Sequence, residues 1–164
     1  MNSQKQFHSI EPVYNENSSI LILGSFPSVR SREAKFFYGH PQNRFWKLIA
    51  RIYNTDTPQT TEQKKALLTA NRIALWDVIA SCEIKGSSDS SITDVVVNDI
   101  SIILGTADIK AIFCNGARAY DLYCKHIRPA VNIEAIKLPS TSPANAACSL
   151  DRLYESWKII KEYT

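Results

Sequence analysis

The sequence has little excess charge and no long apolar run. Nineteen lysines and arginines face sixteen aspartates and glutamates, for a formal net charge of +3. That balance permits a polyanionic partner without announcing one. No stretch approaches the ~20 apolar residues that span a bilayer. The opening MNSQKQFHSIEP has no apolar signal core, so neither membrane insertion nor export is expected. Five glycines and seven prolines in 164 residues exclude collagen-like and low-complexity architectures. Cysteine is sparse: Cys82, Cys114, Cys124 and Cys148, with no CxxC pair. A zinc or iron–sulfur site is therefore not expected, and the thiols read as reduced and mostly buried.

What remains is the composition of one folded domain. A chain of this length buries roughly two thirds of its unfolded surface and needs no disulfide or metal staple. We expect a single domain over residues 1–164, with 1–17 a polar lead-in anchored by Ile10, Val13 and Tyr14. We also expect a cytosolic monomer, with no cofactor and no metal.

Strand and helix signals alternate along the chain. Ser19 to Leu23 is a short apolar run closed by Gly24, the mark of a strand covered on both faces. Ile73 to Trp76, Ala111 to Cys114 and Ile133 to Leu138 read the same way. Phe45, Leu48, Ile49, Ile52 and Tyr53 follow helical spacing, as do Leu150, Leu153, Tyr154, Trp157 and Ile160 behind a Ser149 cap. Further helices are expected over Thr60 to Ala70, after an Asn98 cap, and from about Ala117 to His126. Glu83 to Thr93, polar with Gly86 and a run of serines, reads as a loop. The pattern predicts a three-layer α/β/α sandwich around a small, mainly parallel four-stranded sheet.

In such sheets ligands bind beyond the carboxyl ends of the strands. Gly24-Ser25-Phe26-Pro27-Ser28, Trp76-Asp77, Asn115-Gly116 and Leu138 to Pro143 all fall there. Each has a plain structural reading. The first lacks the glycines and lysine of a phosphate loop and serves as a strand-to-helix turn. Asp77 can cap the following turn, and Asn115-Gly116 is a turn pair. The FFYGHPQNRFW segment, residues 36–46, is less ordinary. Asn43 can cap the next helix, and Phe45 and Trp46 can be core. Phe36, Phe37 and Tyr38 are hard to bury together beside Gly39-His40-Pro41, and an exposed ring among polar groups is a stacking platform for a base. His40 alone is more often structural than catalytic. Ser140, Thr141 and Ser142 between two prolines make a stiff loop with donors for phosphate oxygens.

Taken in order, LILGSFPS, FFYGHPQNRFW, WDVIASC, KGSSDSSI, NDI, IFCNG and LPSTSPA resemble the uracil-DNA glycosylase superfamily. Within it they look most like the hypoxanthine-DNA glycosylase (deoxyinosine glycosylase) branch. The resemblance runs from about Leu21 to Trp157. It implies a monofunctional base-excision enzyme whose partner is DNA. Such an enzyme extrudes a deaminated nucleotide, because its glycosidic bond is out of reach inside the stack. Water then cleaves that bond and leaves an abasic site. By the same resemblance Tyr38 is the stacking aromatic, Asp77 the reader of the base edge, and Phe26 and Asn115 further base-pocket residues. Ser25, Ser28, His40, Ser140, Thr141 and Ser142 match DNA-contacting positions, and Ser140 to Pro143 match the element that wedges into the duplex.

Two departures sharpen the expectation. Many superfamily members carry Asn or Asp in the first motif to position water, where this chain has Phe26. The hypoxanthine branch is thought to use the Asn before the helix, here Asn43. An amide is a poor base, so its work would be positioning and electrostatics. Leu138 stands where uracil-specific relatives often place a His, which argues against efficient uracil removal. A mismatch-specific uracil or thymine glycosylase and a non-catalytic damage-binding module remain the competing expectations.

Overall fold

The computed structural model describes residues 4–84 and 92–164. In chain order the strands are β1 (Gln4–Phe7), β2 (Ile20–Gly24), β3 (Ile73–Asp77), β4 (Ile79–Ile84), β5 (Thr93–Val97), β6 (Ala111–Asn115) and β7 (Ala135–Leu138). The helices are α1 (Val29–Ala34), α2 (Phe45–Ile52), α3 (Thr61–Ala70), α4 (Ser101–Leu104), α5 (Ala117–Leu122), α6 (Arg128–Val131) and α7 (Leu150–Trp157).

The continuous apolar runs form the main sheet, in the order β3-β2-β6-β7 and parallel throughout. β2 and β3 are buried along their whole length, as strands covered on both faces must be. The expected α/β fold is therefore the one the chain adopts. Ile20 to Leu23 have no exposed surface and mark the centre of the core. α5 packs on β6 and β7, α3 on β3, and α2 against α7. α3 carries a full capping box: Thr60 accepts from the Gln63 N–H, and the Gln63 side chain accepts from the Thr60 N–H. Ser149 caps α7 in the same spirit, accepting from the Arg152 N–H.

Several local expectations are corrected. Within the lead-in expected over residues 1–17, residues 4–7 form a strand. β1, β4 and β5 form a second, antiparallel sheet in the order β1-β4-β5. Val13 adds a bridge to Leu75, which ties the rest of the segment to the main sheet. Glu83 and Ile84 end β4 and Thr93 opens β5, so the expected 83–93 loop is shorter at both ends; residues 85–91 lie outside the described residues. Asn98 does not cap α4. Its side chain donates to the carbonyls of Asp77 and Ile79, while the Asp99 carboxylate accepts from the Ser101 N–H. The helix begun at Ala117 widens into a π turn over Tyr123–Ile127 and then continues as α6. Pro129 lies just beyond it and has no N–H to close a regular turn. Among the described residues no helix is long and apolar enough to cross a membrane.

The centrality of β2 can be tested with isoleucines in unlike surroundings. Ile22→Ala should cost about 3 kcal/mol by urea denaturation. Ile102 is 44% exposed, and Ile102→Ala should stay within about 0.5 kcal/mol.

Candidate active site

The strand register builds the site. It sets Gly24 beside Asp77 and Asn115 beside Leu138, all at the carboxyl edge of the main sheet. A cleft of about 1200 Å³ opens over that edge. All eleven residues singled out in the sequence line it: Ser25, Phe26 and Ser28; Tyr38, His40 and Asn43; Asp77 and Asn115; Ser140, Thr141 and Ser142. Asp77 is the one acid among the lining residues, and Arg30, Arg118 and Lys137 are the cations. Sequence reading passed over those three, because a single Arg or Lys in a helix or strand carries no pattern. Among the described residues no group of three or more His, Cys, Asp or Glu side chains is placed to hold a metal ion.

Asn43 sits two residues before α2, and its side-chain orientation is fixed by chemistry. The Phe45 backbone N–H, which can only donate, lies 2.9 Å from one end of the amide, so that end is oxygen. The Thr141 hydroxyl donates to the same Oδ1 at 2.9 Å. Thr141 is itself held twice by Asn115. The Asn115 Nδ2 donates to the Thr141 Oγ1, and the Thr141 N–H donates to the Asn115 Oδ1, both at 3.0 Å. The result is a directed chain from β6 through the loop after β7 to the start of α2. With both lone pairs of its oxygen engaged, Asn43 meets the cleft as a donor through Nδ2.

Tyr38 and Asp77 meet beside Gly24. One face of the Tyr38 ring stacks on Phe45, with centroids 4.3 Å apart and planes 25° apart. Phe36 and Phe37 are core, while Tyr38 is half-buried. Tyr38 adopts φ 54°, a left-handed conformation that costs a bulky residue about 1 kcal/mol or more. Its hydroxyl is buried and has no hydrogen-bond partner among the described residues. Burial, and then the charge of Asp77, hold this phenol far above the ordinary tyrosine range. Asn115 is close enough to oppose the shift, but no hydrogen bond of ordinary geometry joins them. A Cβ on Gly24 would fall 2.3 Å from Asp77 Oδ1 and 2.9 Å from the Tyr38 hydroxyl. Glycine is thus required where the two polar groups converge. The other Asp77 oxygen accepts from the Nε2 of His8 at 2.8 Å. Sequence reading missed His8, because nothing local tells a lead-in residue that β1 will carry it under the cleft.

The hydroxyls divide into two kinds. Ser28 caps α1, its Oγ accepting from the Ser31 N–H, and Ser140 Oγ accepts from the Ser142 N–H. Both line the cleft while serving the backbone. Thr141 has no exposed surface, so its expected place at a DNA phosphate gives way to an internal one, holding Asn43. Asn115, expected at the base, spends both ends of its amide on Thr141. His40 accepts from the Gln42 N–H through Nδ1. Gly116 takes φ 97°, and a Cβ there would press on Ser140 at 3.1 Å.

Arg44 fastens this loop. Its guanidinium donates to the carbonyls of Ser142, Asn145 and Cys148, and its N–H to the Thr141 carbonyl. Trp157 adds a bond from Nε1 to the Pro139 carbonyl at 2.9 Å. Residues 139–148 are thereby locked to the segment that carries Asn43. Arg44→Ala should cost about 2 kcal/mol. It should also speed amide exchange at Asn145 and Cys148, whose N–H groups close the turns of this loop. Unchanged exchange rates there would show that Trp157 and the prolines hold the loop without Arg44.

Comparison with known proteins agrees with this geometry. The profile of the Uracil DNA glycosylase superfamily matches residues 11–162. A hypoxanthine DNA glycosylase of Methanosarcina acetivorans is 36% identical over 149 residues, covering 90% of this chain and 93% of that protein. One from Methanosarcina barkeri is 36% identical over 136 residues, covering 82% and 85%. The solution NMR structure of a Methanosarcina acetivorans protein, provisionally assigned as a uracil DNA glycosylase, superimposes with a TM-score of 0.79 at 35% identity. That match covers 93% of this chain and 94% of the other. A parallel sheet with Asn43, Tyr38 and Asp77 gathered over its carboxyl edge, and a match over almost the whole sequence, place this chain in the uracil DNA glycosylase superfamily.

Proposed function

We propose that the protein excises hypoxanthine from DNA containing deoxyinosine, acting as a monofunctional glycosylase. The observation that carries this reading is the convergence of Asn43 and Tyr38 on one cleft, with Phe26 and Leu138 where uracil-specific relatives would be expected to carry polar groups. The names of its relatives, 36% identical over the aligned residues, point the same way.

The expected roles follow from the geometry. A base swung out of the duplex lies on the face of Tyr38 opposite Phe45, where a ring stacks without sequence-specific contacts. The C1′–N9 bond breaks, and its electron pair leaves with the base. The sugar develops oxocarbenium character, and the oxygen of a water molecule bonds to C1′. Asn43 Nδ2 donates to that water and leaves its second lone pair for C1′. The amide cannot take the water's proton, because its oxygen is already shared by Phe45 and Thr141. The proton passes to solvent and returns to the departed base. Positioning of this kind supplies rate through prepaid orientation. Arg30, Arg118 and Lys137, with Ser25 and Ser142, offer donors at the rim for phosphates. The stiff loop from Ser140 to Pro143 stands where it can fill the space the base leaves. The same reading keeps the protein cytosolic and monomeric.

Duplexes containing deoxyinosine, deoxyuridine or a G·T mismatch, scored for abasic sites, test the assignment. We expect release from the deoxyinosine strand to be fastest. Strong uracil release with no hypoxanthine release would replace this reading with that of a mismatch uracil glycosylase. Asn43→Ala should lower hypoxanthine release by about 100-fold or more, with duplex binding little changed. Unchanged release would remove Asn43 from the chemistry.

A further inference from the structure

His8 has no part in the roles described so far, yet it holds Asp77, the residue expected at the base edge. The His8 side chain is 2% exposed and that of Asp77 4%. His8 reaches this position because β1 pairs with β4, and its own N–H donates to the Ala80 carbonyl at 2.7 Å. The ring is fixed on every side. It packs against Phe26, Phe37 and Trp76 at centroid distances of 6.2, 6.1 and 6.4 Å. The Ile10 backbone N–H donates to its Nδ1 at 3.3 Å. A nitrogen that accepts from a backbone N–H carries no proton, so the ring proton sits on Nε2 and points at Asp77 Oδ2.

We propose that His8 is a positioning residue that makes Asp77 a one-sided acceptor and thereby sets base selectivity. This rests on the reading of the cleft as a base pocket. One carboxylate oxygen is tied below the cleft by His8. The other, Oδ1, is left at the empty Cβ position of Gly24, beside the Tyr38 hydroxyl, which has no partner among the described residues. An acceptor held there takes a ring N–H, such as N1–H of hypoxanthine. It opposes a lone pair in the same place, such as N1 of adenine, and gains nothing from a base with no donor. Discrimination by a buried polar group is strong when the group cannot turn away to find another partner. Without His8, Asp77 could rotate and surrender that edge. The second sheet thus serves the cleft by delivering the histidine that fixes the reader.

Two measurements test this. The first is ¹⁵N-histidine NMR of the whole protein. The His8 proton should be found on Nε2; a proton on Nδ1 with none on Nε2 would overturn the proposal without any substitution. The second compares single-turnover base release from deoxyinosine and from deoxynebularine, a purine lacking both N1–H and O6. His8→Phe keeps the ring and removes the N–H; His8→Gln keeps a donor. His8→Phe should slow deoxyinosine release by about tenfold or more. It should also shrink the inosine-to-nebularine ratio, with affinity for an undamaged duplex unchanged. His8→Gln should recover most of both. An active wild type whose ratio ignores His8→Phe would overturn this inference alone, whereas a wild type that releases no hypoxanthine would overturn the reading of the cleft. Should His8→Phe fail to fold, His8→Gln and the NMR signature decide. A ratio in His8→Gln far below wild type, despite the retained donor, would refute the role.

Discussion

The site depends on how one parallel sheet ends. β2 and β3 finish in register, so Gly24 and Asp77 are neighbours, and only a residue without a side chain lets the Asp77 carboxylate and the Tyr38 phenol approach the same point. Parallel strands put all their carboxyl ends on one edge, and the connecting loops have nowhere else to meet. Segments 24–28, 36–46 and 138–143 are distant in sequence, yet they share one cleft because each follows or faces that edge. The chemistry is thus a consequence of strand direction before it is a consequence of any single residue.

A second constraint is the direction of hydrogen bonds. Backbone N–H groups cannot accept, so Ile10 fixes the His8 tautomer and Phe45 fixes the Asn43 amide. Two side chains are thus oriented by main-chain donors. Asn43 is left with a donor, and Asp77, bound by His8 through one oxygen, is left with an acceptor. Buried polar networks of this sort are rigid when every member is satisfied. Among the described residues the Tyr38 hydroxyl, like Trp76 Nε1 and Arg118 Nε, is buried without a partner. A buried hydroxyl left unpaired is costly, and strain of this kind, like the left-handed backbone of Tyr38, gathers where a ligand will later relieve it.

The main sheet was legible in the sequence because its strands are continuous apolar runs, which leave no face for a polar residue. Helices α2, α3 and α7 were legible through spacing and caps. The second sheet was not, since β1 and β5 carry no such runs: Gln4-Lys5-Gln6-Phe7 and Thr93 to Val97 become strands only by pairing with β4. The candidate site was legible as a set of positions, and all of them reach the cleft. The division of labour within it was not. Thr141 and Asn115 look like any polar loop residues in sequence, and their commitment to each other and to Asn43 is visible only across 26 and 98 positions of chain. His8 was missed for the same reason, at a separation of 69.

Phe26 shows how a site can move within a fold. The resemblance to the superfamily places a water-positioning amide or acid at this point in the first motif, and a phenyl ring can do neither. Here the ring packs edge-on to His8 and lies under the Arg32 guanidinium at 5.4 Å. In this chain the position packs on the histidine that holds Asp77. The amide of Asn43 has its oxygen already committed and can only donate. On the proposed reading no base stands beside the water, so bond breaking runs ahead of attack and the stability of the leaving base governs the rate. Selectivity then rests on reading the base, and the buttress behind Asp77 matters as much as the group that touches water.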